Sequence, residues 1–160
     1  RDVERSRGLG DVYKRQAIGC AQLQKLPGFV EARRRNFAYL SERLQCVREY
    51  FILPEVCENS EPSWFGFMIT CREGVDKNKV VRYLEENGIQ TRMLFAGNLT
   101  KQPCFDEMRK TGIGYRIVGE LTNTDYIMEN TFWIGVYPGM TTEMLNYMIE
   151  KITEIVSMPW

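Results

Sequence analysis

Apolar residues recur at helical spacing in three stretches of the chain, which places them on one face of a helix in each case. The stretches cover residues 29–44, 80–84 and 145–155. Asp76 precedes the second stretch and Thr141 precedes the third, and both residue types cap the first turn of a helix well. The pattern therefore predicts three amphipathic helices, two of them with a side-chain cap.

Three other stretches have the composition of buried strands. Residues 64–70 and 132–137 are almost continuously apolar, and residues 89–94 form a shorter run between them. A short helix is expected near residues 105–110. After the leading helices, the order is strand, helix, strand, short helix, strand, helix. This order predicts an α+β fold with a mainly antiparallel sheet and helices on one of its faces.

The first 46 residues differ from the remainder. Residues 1–16 hold eight charged side chains and no sustained apolar periodicity, which predicts a disordered or non-native leader, with a natural basic linker as the alternative. Residues 17–46 predict inter-domain helices that are interrupted at Leu26-Pro27. Residues 47–160 then form the small domain. Because the chain begins with Arg1, we expect it to be part of a larger protein.

Composition narrows the functional classes. Lys and Arg together number 21, as do Asp and Glu, so no electrostatic feature favours a nucleic-acid or anionic-membrane partner. No apolar run is long enough to span a bilayer. Five cysteines without a C-x-x-C motif are typical of reduced cytoplasmic thiols. The absence of histidine excludes catalytic centres of the Ser-His-Asp and Cys-His types and the common zinc sites.

The chief candidate for ligand binding is the segment that follows the second predicted strand, residues 91–103. Arg92 supplies a fork of donors for phosphate or carboxylate groups. Asn98 and Gln102 carry both donors and acceptors, which suit sugar hydroxyl groups. Gly97 permits a tight bend or the close approach of a ligand. The alternative is a solvated connection whose polar groups satisfy its own backbone.

Three further features have a functional and a structural interpretation. The Trp64-Phe65 pair could stack on sugars or bases, but core packing is favoured. Tyr137-Pro138-Gly139 is interpreted first as a turn. Arg33-Arg34-Arg35 could bind phosphate, but a solvated helix face is favoured.

Particular strings carry a resemblance to a known family. AIGCAQLQKLPGFVEARRRNF resembles the inter-domain helices of the DegT/DnrJ/StrS sugar aminotransferases, which are fold type I pyridoxal-phosphate enzymes. ENGIQTRMLFAGNLTKQP resembles, more narrowly, the members that dehydrate CDP-4-keto-6-deoxy-D-glucose at C3 during lipopolysaccharide O-antigen synthesis. The resemblance extends from Ala17 to about Ile155 and implies that the chain is the C-terminal small domain, preceded by inter-domain helices.

The resemblance also implies the partners of the complete enzyme. These are pyridoxamine or pyridoxal phosphate, a [2Fe–2S] cluster, a CDP-sugar substrate, an NADH-dependent iron–sulfur flavin reductase and a second subunit in a homodimer. In the family, the catalytic histidine, the cofactor pocket and the cluster cysteines precede the matched segment. No catalytic, cofactor-binding or metal-binding residue is therefore expected here, and the fragment alone is expected to be inactive.

The resemblance implies that the segment TRMLFAGNLTKQP contacts the sugar nucleotide. Within it, residue type predicts polar contacts from Arg92, Asn98 and Gln102, with Phe95 and Gly97 shaping the loop. Two alternatives stay open. One is a fragment of an ordinary pyridoxal-phosphate sugar aminotransferase of the same family. The other is a free-standing α+β module that binds a ligand.

Overall fold

The computed structural model describes residues 9–158, with side chains from residue 12 onward. A long helix, α1 (Leu9–Arg43), leads into a short 3-10 turn at Leu44–Val47. The remaining elements in chain order are β1 (Phe51–Ile52), β2 (Gly66–Cys71), α2 (Lys77–Glu86), β3 (Thr91–Met93), α3 (Asp106–Thr111), α4 (Thr122–Asn130), β4 (Thr131–Gly135) and α5 (Thr142–Ile155).

The four strands form one antiparallel sheet in the order β1-β2-β4-β3. Alternation along each strand gives the sheet two different faces. Phe67 and Ile69 of β2 and Phe132 and Ile134 of β4 are fully buried on the inner face. Apolar residues of α1, α2 and α5 join them in one core. The predicted α+β class and antiparallel sheet are therefore confirmed.

Both predicted helix caps are present. The carboxylate of Asp76 accepts hydrogen bonds from the backbone amides of Asn78, at 2.8 Å, and Lys79, at 3.4 Å. The hydroxyl of Thr141 accepts one from the amide of Met144 at 3.3 Å. These bonds satisfy donors that the first turn of a helix leaves free. The caps fix where α2 and α5 begin and so which residues face the core.

The leading segment differs from the prediction in two ways. Helix α1 continues through Pro27, so the predicted interruption is wrong. Residues 17–29 are exposed around the whole helix, so water can satisfy the carbonyl group that loses its partner at proline. Residues 9–16 are helical and not disordered, whereas residues 1–8 lie outside the described part of the chain. That the leader is non-native, and that a domain begins at residue 47, stay predictions.

Helix α4 was not predicted from the sequence. None of its residues is buried, so it shows no apolar face that periodicity could reveal. Two side chains connect it to neighbouring elements. The hydroxyl of Tyr126 donates to the backbone oxygen of Cys71 at 3.2 Å, and the amine of Lys77 donates to the backbone oxygen of Met128 at 2.9 Å. Within residues 9–158, no helix combines the length and hydropathy needed to cross a bilayer.

Candidate functional site

The segment after β3, residues 94–103, is called the β3 loop below. It is folded on itself by short-range hydrogen bonds. The amide of Phe95 donates to the Met93 carbonyl at 2.8 Å, and the amide of Gly97 donates to the Leu94 carbonyl at 3.2 Å. The side chain of Gln102 donates to the Ala96 carbonyl at 2.6 Å. The predicted contact residue Gln102 therefore closes the loop from its far end.

Asn98 lies beneath the loop and is only 3% exposed. Its amide nitrogen donates to Oδ1 of Asp125 at 2.7 Å. Its amide oxygen accepts from the backbone amide of Thr100 at 3.0 Å and from the hydroxyl of Thr100 at 2.7 Å. Both ends of the Asn98 amide are thus bonded within the protein. A direct substrate contact by Asn98 stays a prediction, and its observed contacts are with the fold.

Asp125, on α4, completes a cluster that sequence reasoning missed. Its second oxygen, Oδ2, lies 2.9 Å from the amine of Lys101. The hydrogen bond from Asn98, followed by that from Lys101, holds the pKa of the Asp125 carboxyl below its ordinary value. We call Asn98, Lys101 and Asp125 the Asp125 cluster. One carboxylate on a neighbouring helix thereby fixes two residues of the β3 loop.

Arg109 of α3 holds the other side of the loop. Its guanidinium donates to the backbone oxygens of Thr100 and Gln102, the latter at 3.0 Å, and to the carboxylate of Asp106. The planar fork of an arginine suits such simultaneous bonding to several acceptors. No local sequence signal marks this role, because the acceptors are main-chain atoms. The loop is consequently attached to two helices, α3 and α4.

Two residues of the loop have left-handed backbone conformations. Gly97 has φ +60°, and a Cβ added there would lie 2.5 Å from Cγ of Met128. Gly97 makes a tight bend with Met128 beside it, whereas the close approach of a ligand at Gly97 stays a prediction. Phe95 has φ +46° and is 79% exposed. Such a conformation costs a residue other than glycine about 1–3 kcal/mol. The loop therefore holds an aromatic ring in solvent in a strained conformation.

Arg92 belongs to a different surface from the Asp125 cluster. It pairs with Trp133 across the outer face of the sheet. Both residues line a groove of about 500 Å³ together with Tyr137 and Tyr147. Among the described residues that line this groove, Arg92 is the single charged one. Residues 88–90, which precede β3, also line the groove, whereas none of residues 94–103 does, so the predicted contact Arg92 is separated from those in the β3 loop.

The remaining candidates are resolved by their packing. Trp64 stacks on the buried Phe37, with ring centroids 4.9 Å apart, so core packing is confirmed for Trp64. The prediction of core packing is wrong for Phe65, which is 55% exposed and meets Trp133 edge-on with the ring centroids 5.3 Å apart. Arg34 forms an ion pair with Glu61 on the surface, in keeping with a solvated helix face.

The described residues offer no clustered side chains for a metal ion. They contain no group of three or more His, Cys, Asp or Glu side chains that could hold a metal ion. Cys71 is buried, and burial raises the pKa of its thiol to about 12, whereas Cys20, Cys46, Cys57 and Cys104 are exposed and free. The groove beside Arg92 has no lysine in its lining. The described residues therefore supply no clustered ligands for a [2Fe–2S] cluster, and this groove supplies no lysine for a covalently held pyridoxal phosphate.

Comparison with known proteins places these features in a family. Residues 15–153 match the sequence model of the DegT/DnrJ/EryC1/StrS aminotransferase family. Over 140 residues, the chain is 53% identical to the lipopolysaccharide biosynthesis protein RfbH of Salmonella typhimurium, covering 86% of this chain and 31% of the relative. It is 43% identical over 143 residues to a dTDP-4-dehydro-2,6-dideoxy-D-glucose 3-dehydratase of Saccharopolyspora spinosa, covering 88% and 30%.

A solved structure of a related enzyme has the same fold as this chain. The Escherichia coli GDP-4-keto-6-deoxy-D-mannose-3-dehydratase with bound hydrated PLP superposes with a TM-score of 0.71 at 28% identity, over 84% of this chain and 33% of that one. The predicted likeness to the PLP-dependent fold is thereby confirmed. The chain spans about a third of the length of these relatives. The match over residues 15–153 and the identity with its relatives establish that the chain belongs to the DegT/DnrJ/EryC1/StrS aminotransferase family.

Proposed function

We propose that this chain is the sugar-covering part of a sugar-nucleotide 3-dehydratase that acts on CDP-4-keto-6-deoxy-D-glucose. The observation that carries the proposal is the 43% identity, over 88% of this chain, with a relative named as a sugar-nucleotide 3-dehydratase. The 53% identity with a lipopolysaccharide biosynthesis protein supports a role in O-antigen synthesis. The reaction removes the C3 hydroxyl group on the way to a 3,6-dideoxy sugar.

The chain contributes substrate contacts in this proposal. The guanidinium of Arg92 is exposed on the outer sheet face and suits the diphosphate of the substrate. The exposed ring of Phe95 offers an apolar face to the sugar. Gly97 allows the loop to lie close to α4, while Asn98 and Gln102 keep it closed. The rigid loop would then exclude water from one side of the sugar.

The remaining parts of the enzyme belong outside this chain in the proposal. Pyridoxamine phosphate and the [2Fe–2S] cluster are held by other residues, and the described ones offer no clustered ligands for the iron of the cluster. An NADH-dependent iron–sulfur flavin reductase supplies electrons, and the complete enzyme is a cytoplasmic homodimer. The chain by itself has no activity, because it has no histidine to move the proton that the resemblance assigns to one.

A chimera tests this proposal. The matching segment of the Saccharopolyspora spinosa 3-dehydratase is replaced by this chain, and the unmodified host is the control. Both are supplied with CDP-4-keto-6-deoxy-D-glucose and with the dTDP-linked substrate of the host. We expect the chimera to catalyse 3-dehydration of the CDP-linked sugar. A folded chimera that still acts on the dTDP-linked sugar of the host but not on CDP-4-keto-6-deoxy-D-glucose contradicts the proposal.

A further inference from the structure

The strained residue Phe95 stands out because its neighbours are all held in place. Its ring is 79% exposed and its φ is +46°, so packing of the ring does not explain the conformation. Backbone outliers of this kind persist where the surrounding structure determines them, and they cluster at ligand-binding positions. Contacts made by neighbouring residues therefore hold the conformation.

The contacts come from α4. The Asp125 carboxylate is 2.7 Å from the amide nitrogen of Asn98 and 2.9 Å from the amine of Lys101. Asn98 in turn starts the 3-10 turn at Leu99–Lys101 by accepting from the amide of Thr100. One carboxylate therefore determines both the start and the end of this turn. Because Asn98 is 3% exposed, water cannot easily replace Asp125 as its acceptor.

Met128, one turn further along α4, supports the same part of the loop. Its sulfur accepts from the backbone amide of Asn98 at 3.3 Å, and its side chain fills the space beside Gly97. Gly97 and Asn98 are thus held against α4 just after Phe95. The helix contacts leave the conformation of Phe95 little freedom, although they do not touch its ring.

We propose that Asp125 is a positioning residue, whose bonds to Asn98 and Lys101 hold the β3 loop so that Phe95 is presented to the sugar-nucleotide substrate. The first part, that Asp125 holds the loop, concerns this chain alone. The second part, that the loop presents Phe95 to a substrate, rests on the proposed function. Asp125 acts in this account through the loop and does not touch the substrate itself.

Hydrogen exchange in this chain tests the first part. Asp125→Ala is compared with Glu129→Ala. Glu129 is on the same helix, and its exposed carboxylate makes none of the loop's hydrogen bonds. We expect the loop amides of Gly97 and Thr100 to exchange at least tenfold faster in Asp125→Ala only, with β2 and β4 unchanged. Equal exchange in the two variants overturns the proposal. Lys101→Met removes the ion pair but leaves the Asp125 carboxylate and its bond to Asn98. It is expected to increase the exchange rates of the loop amides less than Asp125→Ala does.

Steady-state kinetics of the chimera test the second part. Asp125→Ala and Phe95→Ala are each expected to raise KM at least fivefold while kcat stays within twofold, and Asp125→Glu is expected to recover part of the loss. A faster-exchanging loop with an unchanged KM overturns the presentation of Phe95. A chimera with no turnover before any substitution refutes the proposed function, whereas the exchange rates still decide whether Asp125 holds the loop.

Discussion

Substitution of Gly97 by alanine tests whether the β3 loop is packed against α4 as described. Gly97 combines a φ of +60° with a neighbour, Met128, whose Cγ would lie 2.5 Å from a new Cβ and whose sulfur would lie 2.7 Å from it. Gly88 is the matched control, because it has φ +75° and nothing within 4 Å of an added Cβ. Both substitutions place alanine in the left-handed region, but only Gly97→Ala brings the new Cβ against Met128.

The expected magnitudes follow from these two terms. Alanine in the left-handed region costs about 1–2 kcal/mol, which is the whole effect expected for Gly88→Ala. Crowding in a packed site adds about 1–3 kcal/mol, so Gly97→Ala is expected to lower the free energy of unfolding by about 2–5 kcal/mol in total. The difference between the two variants therefore measures the contact with Met128.

Urea unfolding of the purified chain, followed by circular dichroism, gives both values. Adding Met128→Ala to each variant completes the test, since it removes the obstructing atoms. The extra cost at Gly97 should then largely disappear, whereas the cost at Gly88 should not change. Equal destabilisation by Gly97→Ala and Gly88→Ala, or no rescue by Met128→Ala, would refute the described packing of the loop on α4.

Three further predictions concern the core, the Asp125 cluster and the thiols. Phe67→Ala should destabilise the chain by about 3–5 kcal/mol because Phe67 is fully buried, whereas Phe95→Ala should change stability by less than about 0.5 kcal/mol in the same denaturation assay; similar effects would contradict the assigned burial. Because the folded pKa of Asp125 is lowered, its stabilising contribution is complete above the unfolded pKa of about 3.9 and is lost as the pH falls through the folded value. The stability difference between the chain and Asp125→Asn should therefore shrink in acid, and a difference independent of pH argues against the ion pair. Iodoacetamide at pH 8 should modify the four exposed thiols but not Cys71, as counted by mass spectrometry of the native chain; rapid labelling of Cys71 would show that it is accessible.

The elements that the sequence predicted correctly are those with a one-sided apolar pattern. Helix α5 places Leu145 and Ile152 in the core, and β2 and β4 are dense in buried residues. Asp76 and Thr141 were recognisable as caps because they act within three residues of their own position. Local rules suffice for such elements, since the contacts that decide them are also local.

The missed features depend on distant parts of the chain. Helix α4 buries none of its residues, and its place is set by bonds from Tyr126 to Cys71 and from Lys77 to Met128. Pro27 was expected to end a helix, but exposure of the surrounding turns allows α1 to continue. The formation of α4 and the continuation of α1 depend on solvent access and on tertiary hydrogen bonds, and the spacing of apolar residues reveals neither.

The candidate site shows the same division. Residue types directed attention to the β3 loop and predicted the bend at Gly97, whereas the binding of a ligand by this loop stays a prediction. They did not reveal that the Asn98 amide is bonded to Asp125, because the partner lies 27 residues away in sequence. Nor did they separate Arg92, in the groove beside Trp133, from the loop residues.

In the proposed function, this chain serves a sugar-nucleotide 3-dehydratase. The most direct measurement follows the C3 oxygen of CDP-4-keto-6-deoxy-D-glucose in the chimera with the Saccharopolyspora spinosa 3-dehydratase. The substrate carries an oxygen-18 label at C3, and mass spectrometry follows the label in sugar and water. We expect the label to be released into water only when the folded chimera is present. Retention of the label in the CDP-linked sugar by a folded chimera that still turns over the dTDP-linked sugar of the host would contradict it.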